Sequence, residues 1–539
     1  MTDTRYTQND LEEALRRFPG AAETDEVMLA EVIRRAGAKG SRSYRGQIAA
    51  AAAVLACAVI LPSCGNGGTT KETESVADTA APETAETAAE TTRLDVPDSL
   101  PEDLKCNGEK IVIQVRGDKN TIAEFFADEQ TGESVNDATY VRNMNVMDRL
   151  NVVLEPSIGE SVGGYGNTVA AIRASIQSAD GAYDIISGWS AKIPQLSLEG
   201  LFLDVREIPY LDLEKEWWNQ SCLTELRIAN KLFFLAGDIT QTMLYGMYVY
   251  MFNQTLAENY QIENPYTVVN DGRWTIDYVR QQTTDLYIDI NGDGKVDTGD
   301  AFGLVTYQNN AVDSYMQGSL IRMIGRDDND LPVLEAETER LATLVEKAYA
   351  LHFENPGCMI VNDGEAGNMF NIFKEDRSLY TTAPLEYVCL LFGDMESDYG
   401  IIPYPKLDET QETYGTRVHD GLSLISVPID CQKVEITGAV LEAMAAESWR
   451  RITPAIFDVA LKYKYSRDPE SAEMIELIQE SAYIPFAAVY NESIGNPWFI
   501  MRNLMAKKSS DFASYWAKQQ AVVEKGLDKA IQQIEEIPG

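Results

Sequence analysis

Along this chain the bulky apolar residues gather in runs of two kinds. KIVIQV, from Lys110 to Val115, is the short apolar run of a buried strand, while TYVRNMNVMDRL beyond it places its apolar residues at helical spacing. NVVLEP, the helical TVAAIRASIQSA and the strand YDIISGW follow. Strand, helix, strand, helix, strand at these intervals predicts an α/β layer on a mostly parallel sheet. The pattern then recurs: KLFFLAGD (Lys231 to Asp238) and MYVYMFN (Met247 to Asn253) read as strands, RWTIDYVRQQTTDL as a helix and FGLVTY as a strand. SLYTTAP, YGIIPYP and LSLISVP read as short strands ending at prolines. Beyond Pro454 the chain reads as mainly helical.

At 539 residues the chain is too long for one hydrophobic core, so two lobes are expected. A formal net charge of −39 argues against a basic patch for nucleic acid or an anionic membrane. Cys57, Cys64, Cys106, Cys222, Cys358, Cys389 and Cys431 form no CxxC pair, and their spacing suggests neither a zinc site nor a disulfide framework.

The first hundred residues read as an address. Arg34, Arg35, Lys39, Arg42 and Arg45 form an acid-free basic run, and IAAAAAVLACAVIL follows from Ile48 to Leu61. Fourteen apolar residues are too few for an ordinary membrane span and suit the core of a signal peptide. LPSC then resembles the lipobox of bacterial lipoproteins, with Pro62 a departure, which would make Cys64 the lipidated first residue. A plain secretory signal or a short uncleaved anchor is the alternative, and VLAC at Cys57 is a weaker lipobox. The segment 1–47 is a cytoplasmic extension and basic n-region, unless the true start is Met28. Residues 65–106, rich in Thr, Ala and Glu, bury too little to offset ordering entropy and are expected to form a disordered tether spanning on the order of 35 Å.

One loop carries recognisable chemistry. In DINGDGKVDTGD, oxygen donors fall at Asp289, Asn291, Asp293 and Asp297, the Lys295 carbonyl takes the seventh place and Asp300 the twelfth, and Gly294 sits at the sixth, where the chain must turn. That is EF-hand spacing, suited to Ca2+, with Asp in place of the usual closing Glu. A dockerin would carry two such loops in a short terminal module. This chain has one in mid-sequence, before a strand, so a structural calcium is the expectation.

The order of pieces resembles the extracellular solute-binding lipoproteins of ABC importers, of the maltose-binding, sugar-binding type. The pieces are the lipobox, RNMNVMDRLNVVLE, YDII with LEGLFLDV, the crossing MYVYMFNQTLAENY, DGRWTIDYV, FKEDRSLYTTAP, and YGIIPYP with GLSLISVP. The resemblance covers residue 107 to the end and implies a two-lobed, periplasmic-binding-protein-like α/β fold with a hinge crossed more than once. Transferred, it places lobe one at 107–241 plus 380–447 and lobe two at 242–379 plus 448–539. It also implies a sugar ligand, an ABC permease as partner, no catalysis, a monomer, and a place on the outer face of the cytoplasmic membrane of a Gram-positive bacterium.

A sugar site needs aromatic faces for stacking and polar side chains for hydroxyls. The candidates at expected strand ends and crossings are Trp189, Asp238, Tyr307, Glu386, Tyr387 and Trp498, with Tyr387 standing in APLEY where the resemblance implies a tryptophan. Trp217, Trp218 and Trp274 read as packing residues. His352 and His419 stand far apart and read as surface or satisfied positions. A carbohydrate-active enzyme would need two opposed carboxylates, and no pair stands out among so many. A calcium-dependent adhesion module would be expected to repeat its loop.

Overall fold

The computed structural model describes residues 92–393, 395–462 and 470–537. The basic run, the apolar leader core, Cys64 and the tether through residue 91 lie outside the described residues. No helix among the described residues is long and apolar enough to cross a membrane.

Two main sheets organise the chain. The first contains β1 (Glu109–Val115), β2 (Val152–Ile158), β3 (Ile185–Trp189) and β13 (Ser423–Ser426), in the order β13-β3-β1-β2. β1 runs parallel to both neighbours, with Ile113 opposite Ile185 and Pro156, and only β13 is antiparallel. Helices Ser134–Leu150 and Tyr165–Ser178 connect the parallel strands. The first begins where the Glu133 carboxylate accepts the N–H groups of Val135 and Asn136, and it stops at Asn151 in the left-handed region. Ile111, Ile113, Val115, Ile172 and Ile185 close the core between these layers.

The second sheet contains β4 (Tyr248–Asn253), β5 (Tyr287–Ile288), β6 (Ala301–Tyr307), β9 (Cys358–Val361), β10 (Ser378–Pro384) and β11 (Tyr399–Ile402). Its order is β11-β4-β10-β6-β5, with β9 also on β6. Two small pairs complete the strands: β7 (Ile324–Arg326) with β8 (Pro332–Leu334), and β12 (Thr416–Arg417) with β14 (Ala482–Tyr483). The molecule is α/β, built on two sheets that the chain enters in turn and then revisits.

Several expectations are corrected. Residues 380–402 were expected in lobe one, yet β10 lies in the second sheet, antiparallel to β4 and parallel to β6, and β11 forms its edge. All seven residues of β10 are buried, which suits a strand covered on both faces in mid-sheet. The return to the first sheet therefore comes only at β13. Helix Thr453–Lys462, expected in lobe two, packs against helices Ser134–Leu150 and Gln241–Tyr245 on the side of the first sheet. KLFFLAGD makes no ladder. It is a buried extended segment whose Leu235 exchanges both backbone hydrogen bonds with Ile425 of β13, each 2.9 Å. The expected tether also ends too late, because residues 92–106 belong to the folded body. Leu100 and Cys106 are buried, and Arg149 clasps the Asp98 carboxylate at 2.5 and 2.8 Å. Cys106, Cys222, Cys358, Cys389 and Cys431 are free thiols.

Candidate functional site

Where the chain crosses between the sheets, backbones lie close together. Met247 and Val418 form an isolated bridge, and His419 N–H donates to Gly246 C=O at 2.9 Å. A Cβ on Gly246 would stand 2.6 Å from the Thr242 carbonyl and 3.1 Å from the Cβ of His419, so this approach needs a glycine. Around the crossing stand the ends of β3 and β6, the starts of β4 and β13, and helices Asn310–Gly318 and Ile500–Ala506.

These elements bring together a cluster of opposite charges on aromatic faces. Asp313, fully buried in helix Asn310–Gly318, receives Arg502 Nε at 2.5 Å and faces Arg417 Nη1 at 3.5 Å. Both guanidinium groups also donate to Asn310 Oδ1 at 3.0 Å, and both approach Asp420, at 3.8 Å from Arg417 and 3.6 Å from Arg502. Three guanidinium groups lie over rings: Arg116 over Trp189 at 5.6 Å, Arg417 over Tyr248 at 5.5 Å and Arg502 over Phe499 at 4.1 Å. Burial alone would raise the Asp420 carboxyl, but Arg417, His419 and Arg502 hold it below its ordinary value. Burial also lowers the His419 imidazole, favouring its neutral form, although Asp420 opposes this. That ring stacks on Tyr248 with centroids 6.0 Å apart, and its Nδ1 accepts the Gly421 N–H at 2.7 Å.

A cavity opens beside this cluster. Arg417, His419, Asp420, Glu492, Trp498 and Phe499 are among its lining residues, and its volume is about 50 Å³. Asp420 and His419 present about a third of their side chains to it, whereas Arg417 is 2 % exposed and works from behind.

The expected site residues divide. Trp189 stands at the cluster, its Nε1 donating to the Asp420 carbonyl at 2.6 Å and its ring edge-on to Tyr165. Trp498 lines the cavity, although it is 2 % exposed and its N–H is held by Asn491 Oδ1 at 2.8 Å. Tyr307 lies one layer back, its hydroxyl 2.8 Å from that of Tyr248. The other three do not join the cluster. Asp238 is buried and accepts the Thr453 hydroxyl. Glu386 is half-buried in helix Leu385–Leu391, and exposed Tyr387 packs against Phe370 at 5.5 Å. β10 ends beside the start of β4, with Pro384 opposite Tyr248 and Leu385 N–H donating to Met247 C=O at 2.8 Å, and the helix that follows turns against helices Gln241–Tyr245 and Thr453–Lys462, which leaves Glu386 and Tyr387 outside the charge cluster.

Trp217, Trp218 and Trp274 are packing residues, each fully or almost fully buried. His352 is neither at the surface nor satisfied, since it is 3 % exposed with no hydrogen-bond partner on either ring nitrogen, and burial lowers its pKa to about 4. The sequence reading missed Arg116, Asp313, Arg417, Asp420 and Arg502. One signal was available, because Asp313 is the only charge in NAVDSYMQG, an otherwise apolar and amide-rich helix.

The loop 289–300 lies between β5 and β6: the strand after it was expected, whereas the short β5 between the preceding helix and the loop was not. Its oxygens are donors of the kind Ca2+ takes, but they serve the loop's own backbone: Asp289 accepts Gly292 and Gly294 N–H, Asn291 accepts Asp293 N–H, and Asp293 accepts Lys295 N–H. Asp297 accepts Gly299 N–H, and Gly294 has φ 72°. Among the described residues, no three His, Cys, Asp or Glu side chains converge as a metal cluster. Asp300 is fully buried, with Oδ2 accepting from Tyr287 and Asp297 while Oδ1 has no donor.

No family model and no curated protein matches the chain. Solved structures do resemble it. The GacH receptor of Streptomyces glaucescens shares 12% identity over 80% of this chain and 100% of its own, with a TM-score of 0.47. The cyclic alpha-maltosyl-1,6-maltose binding protein of Arthrobacter globiformis shares 16% identity over 80% of this chain and 99% of its own, with a TM-score of 0.48. M. tuberculosis UspC shares 11% over 77% of this chain and 100% of its own, with a TM-score of 0.49.

Proposed function

We propose that this protein is the substrate-binding subunit of an ABC importer, capturing a carbohydrate at the crossing between its two sheets. The carrying observation is the cluster itself. Asp420 and His419 offer an acceptor and a ring to hydroxyls, buried Arg417 and half-buried Arg502 hold Asp420 ionised, and Trp189, Trp498 and Phe499 supply aromatic faces. Arg417 and Arg502 are matched by Asp313 and Asp420, and Arg116 by Asp118, a balance that suits a neutral polyol better than an ion. A cavity of about 50 Å³ is far below the roughly 300–1,000 Å³ of ordinary small-molecule sites, so a sugar ring would enter by the parting of the walls.

The rest of the reading comes from the sequence. Cys64 carries the lipid, the tether lifts a monomeric domain off the outer face of a Gram-positive cytoplasmic membrane, and the permease recognises the ligand-bound state. Loop 289–300 binds Ca2+ as a staple of the second sheet, with the Asp300 oxygen that lacks a donor as the closing ligand. The role needs no nucleophile and no general base.

The test is a melting-shift screen of mono- and oligosaccharides, since a ligand of the native state alone must raise stability. A binder should lose about tenfold affinity or more in Asp420→Asn, the cost of weakening a hydrogen bond to a charged group, while the free protein stays folded with a melting temperature lowered by the loss of one counter-charge to Arg417 and Arg502. Trp498 is a poorer probe because its burial ties binding to stability. If no sugar shifts the melting curve, or the purified protein hydrolyses the sugar that does, the reading fails.

A further inference from the structure

Near the charge cluster lies a buried carboxylate that takes no part in it. Glu124, in helix Lys119–Phe125 beside β1, is fully buried. Its Oε1 accepts from Thr242 twice, from the N–H at 2.9 Å and from the hydroxyl at 2.8 Å. The same Thr242 hydroxyl accepts the Ser423 N–H at 3.0 Å. Thr242 belongs to helix Gln241–Tyr245, on the outward passage just before β4, and Ser423 opens β13, on the return. A single carboxylate oxygen therefore fastens both passages of the chain to one helix. Ser423 stands opposite Trp189 and follows closely on Asp420, so this relay ends at the backbone that carries the cluster.

The other oxygen, Oε2, is buried without a hydrogen-bond partner. The guanidinium groups of Arg116 and Arg142 are the charges that face this carboxyl, and both are committed elsewhere. Arg116, after β1, donates Nε to Asp118 at 2.5 Å and Nη2 to the Gly421 carbonyl at 3.3 Å, and its Nη1 has no acceptor. Arg142, in helix Ser134–Leu150, donates to Asn143 Oδ1, to Ser448 Oγ and to the carbonyls of Glu124 and Phe125. Helix Gln241–Tyr245 and β13 contribute the Gln241 amide and the hydroxyls of Thr242 and Ser423, all uncharged. An ionised carboxylate here would lose its hydration without gaining an ion pair, whereas the acid form is neutral. Burial accordingly raises the Glu124 pKa above its ordinary value, against the opposing pull of the Thr242 and Ser423 hydrogen bonds and of Arg116.

We propose that Glu124 is a positioning residue of the crossing and acts as the neutral acid: protonated, it pins Thr242 and Ser423 together, and ionised, it lets the crossing open to water. The inference concerns how the two passages are held, and it stands whether or not a saccharide binds beside them. By linkage, the contribution of this proton is complete below the unfolded value of 4.5 and is lost as pH rises through the raised value of the closed crossing.

The experiment is hydrogen–deuterium exchange of the whole protein from pH 5 to pH 8, read by mass spectrometry in peptides spanning Thr242 and Ser423 and, for reference, Tyr380 of β10. After correction for the pH dependence of chemical exchange, protection at Thr242 and Ser423 should fall by up to about tenfold per pH unit, and by less at Tyr380. Glu124→Gln, neutral at every pH and still able to accept from Thr242, should keep that protection and lose its slope. Asp238→Asn should retain the slope, which separates Glu124 from the raised carboxyl of Asp238, and this variant carries the test alone if the glutamine disturbs folding. Wild-type protection that is flat with pH, an equal fall at Tyr380, a slope that survives in Glu124→Gln or one that vanishes in Asp238→Asn would overturn the proposal. So would a folded glutamine variant unprotected at every pH, since that marks a purely structural carboxylate.

Discussion

At the scale of single residues, the most consequential group is Asp313, a buried carboxylate between two guanidinium groups. A buried pair gains little over apolar packing, but removing one partner leaves uncompensated charge, at a cost of roughly 3–5 kcal/mol. Asp313→Ala should lower the urea-unfolding free energy by about that amount, and Arg417→Ala should behave similarly. A second residue sets a pH dependence. Burial pushes the Asp238 carboxyl up to about 7, against the Thr453 hydroxyl and Arg93, and burial likewise raises Glu442 to about 7. With a raised native pKa the folded state holds protons that the unfolded chain releases. This contribution is complete below the unfolded value of 3.8 and is lost as pH rises through about 7. The melting temperature should therefore fall between pH 5 and pH 8. Asp238→Asn should remove part of that fall and leave the share due to Glu442. An unchanged slope in the variant would refute the assignment.

At the scale of elements, the loop between β5 and β6 joins two strands through carboxylates that now accept from their own backbone. If Ca2+ is its ligand, the metal stabilises the native state by about 2.7 kcal/mol at a hundred times its Kd. Calcium should raise the melting temperature, chelator should lower it, and Asp289→Ala should be insensitive to both. Wild-type melting curves that coincide in calcium and chelator would mean that the loop is held by its own hydrogen bonds alone.

At the scale of the whole molecule, the body from residue 92 is clasped at its start by Asp98, Arg149 and Arg450. Cys64→Ala should release the protein from membranes or leave its leader uncleaved, as judged by fractionation and lipid labelling. Unchanged membrane retention, with no lipid label on the wild type, would dismiss the anchor. Small-angle scattering should show compaction when a saccharide found by melting shift is added, because a ligand held at a two-sheet crossing favours the state in which both sides touch it.

By itself, the sequence determined the local elements and the class of the fold. KIVIQV, NVVLEP and YDIISGW became β1, β2 and β3 because short apolar runs bounded by polar turns suit strands, β1 and β3 buried in mid-sheet and β2 largely exposed at the edge, and the intervening helical spacing led to parallel pairing. Trp189 was legible for the same reason, since a residue at the end of a parallel strand stands at the sheet's open edge. Tertiary structure alone decided which sheet each later strand joined. SLYTTAP is apolar enough for the middle of either sheet, and its partners lie 128 and 76 positions away along the chain, Tyr380 standing opposite Phe252 on one side and Leu304 on the other. Pairing over such separations depends on which faces remain uncovered, a property of the assembled layers. The charge cluster was hidden for a related reason: Asp313, Arg417 and Arg502 come from three separate segments, and each looks like an ordinary surface charge until packing removes the water around it.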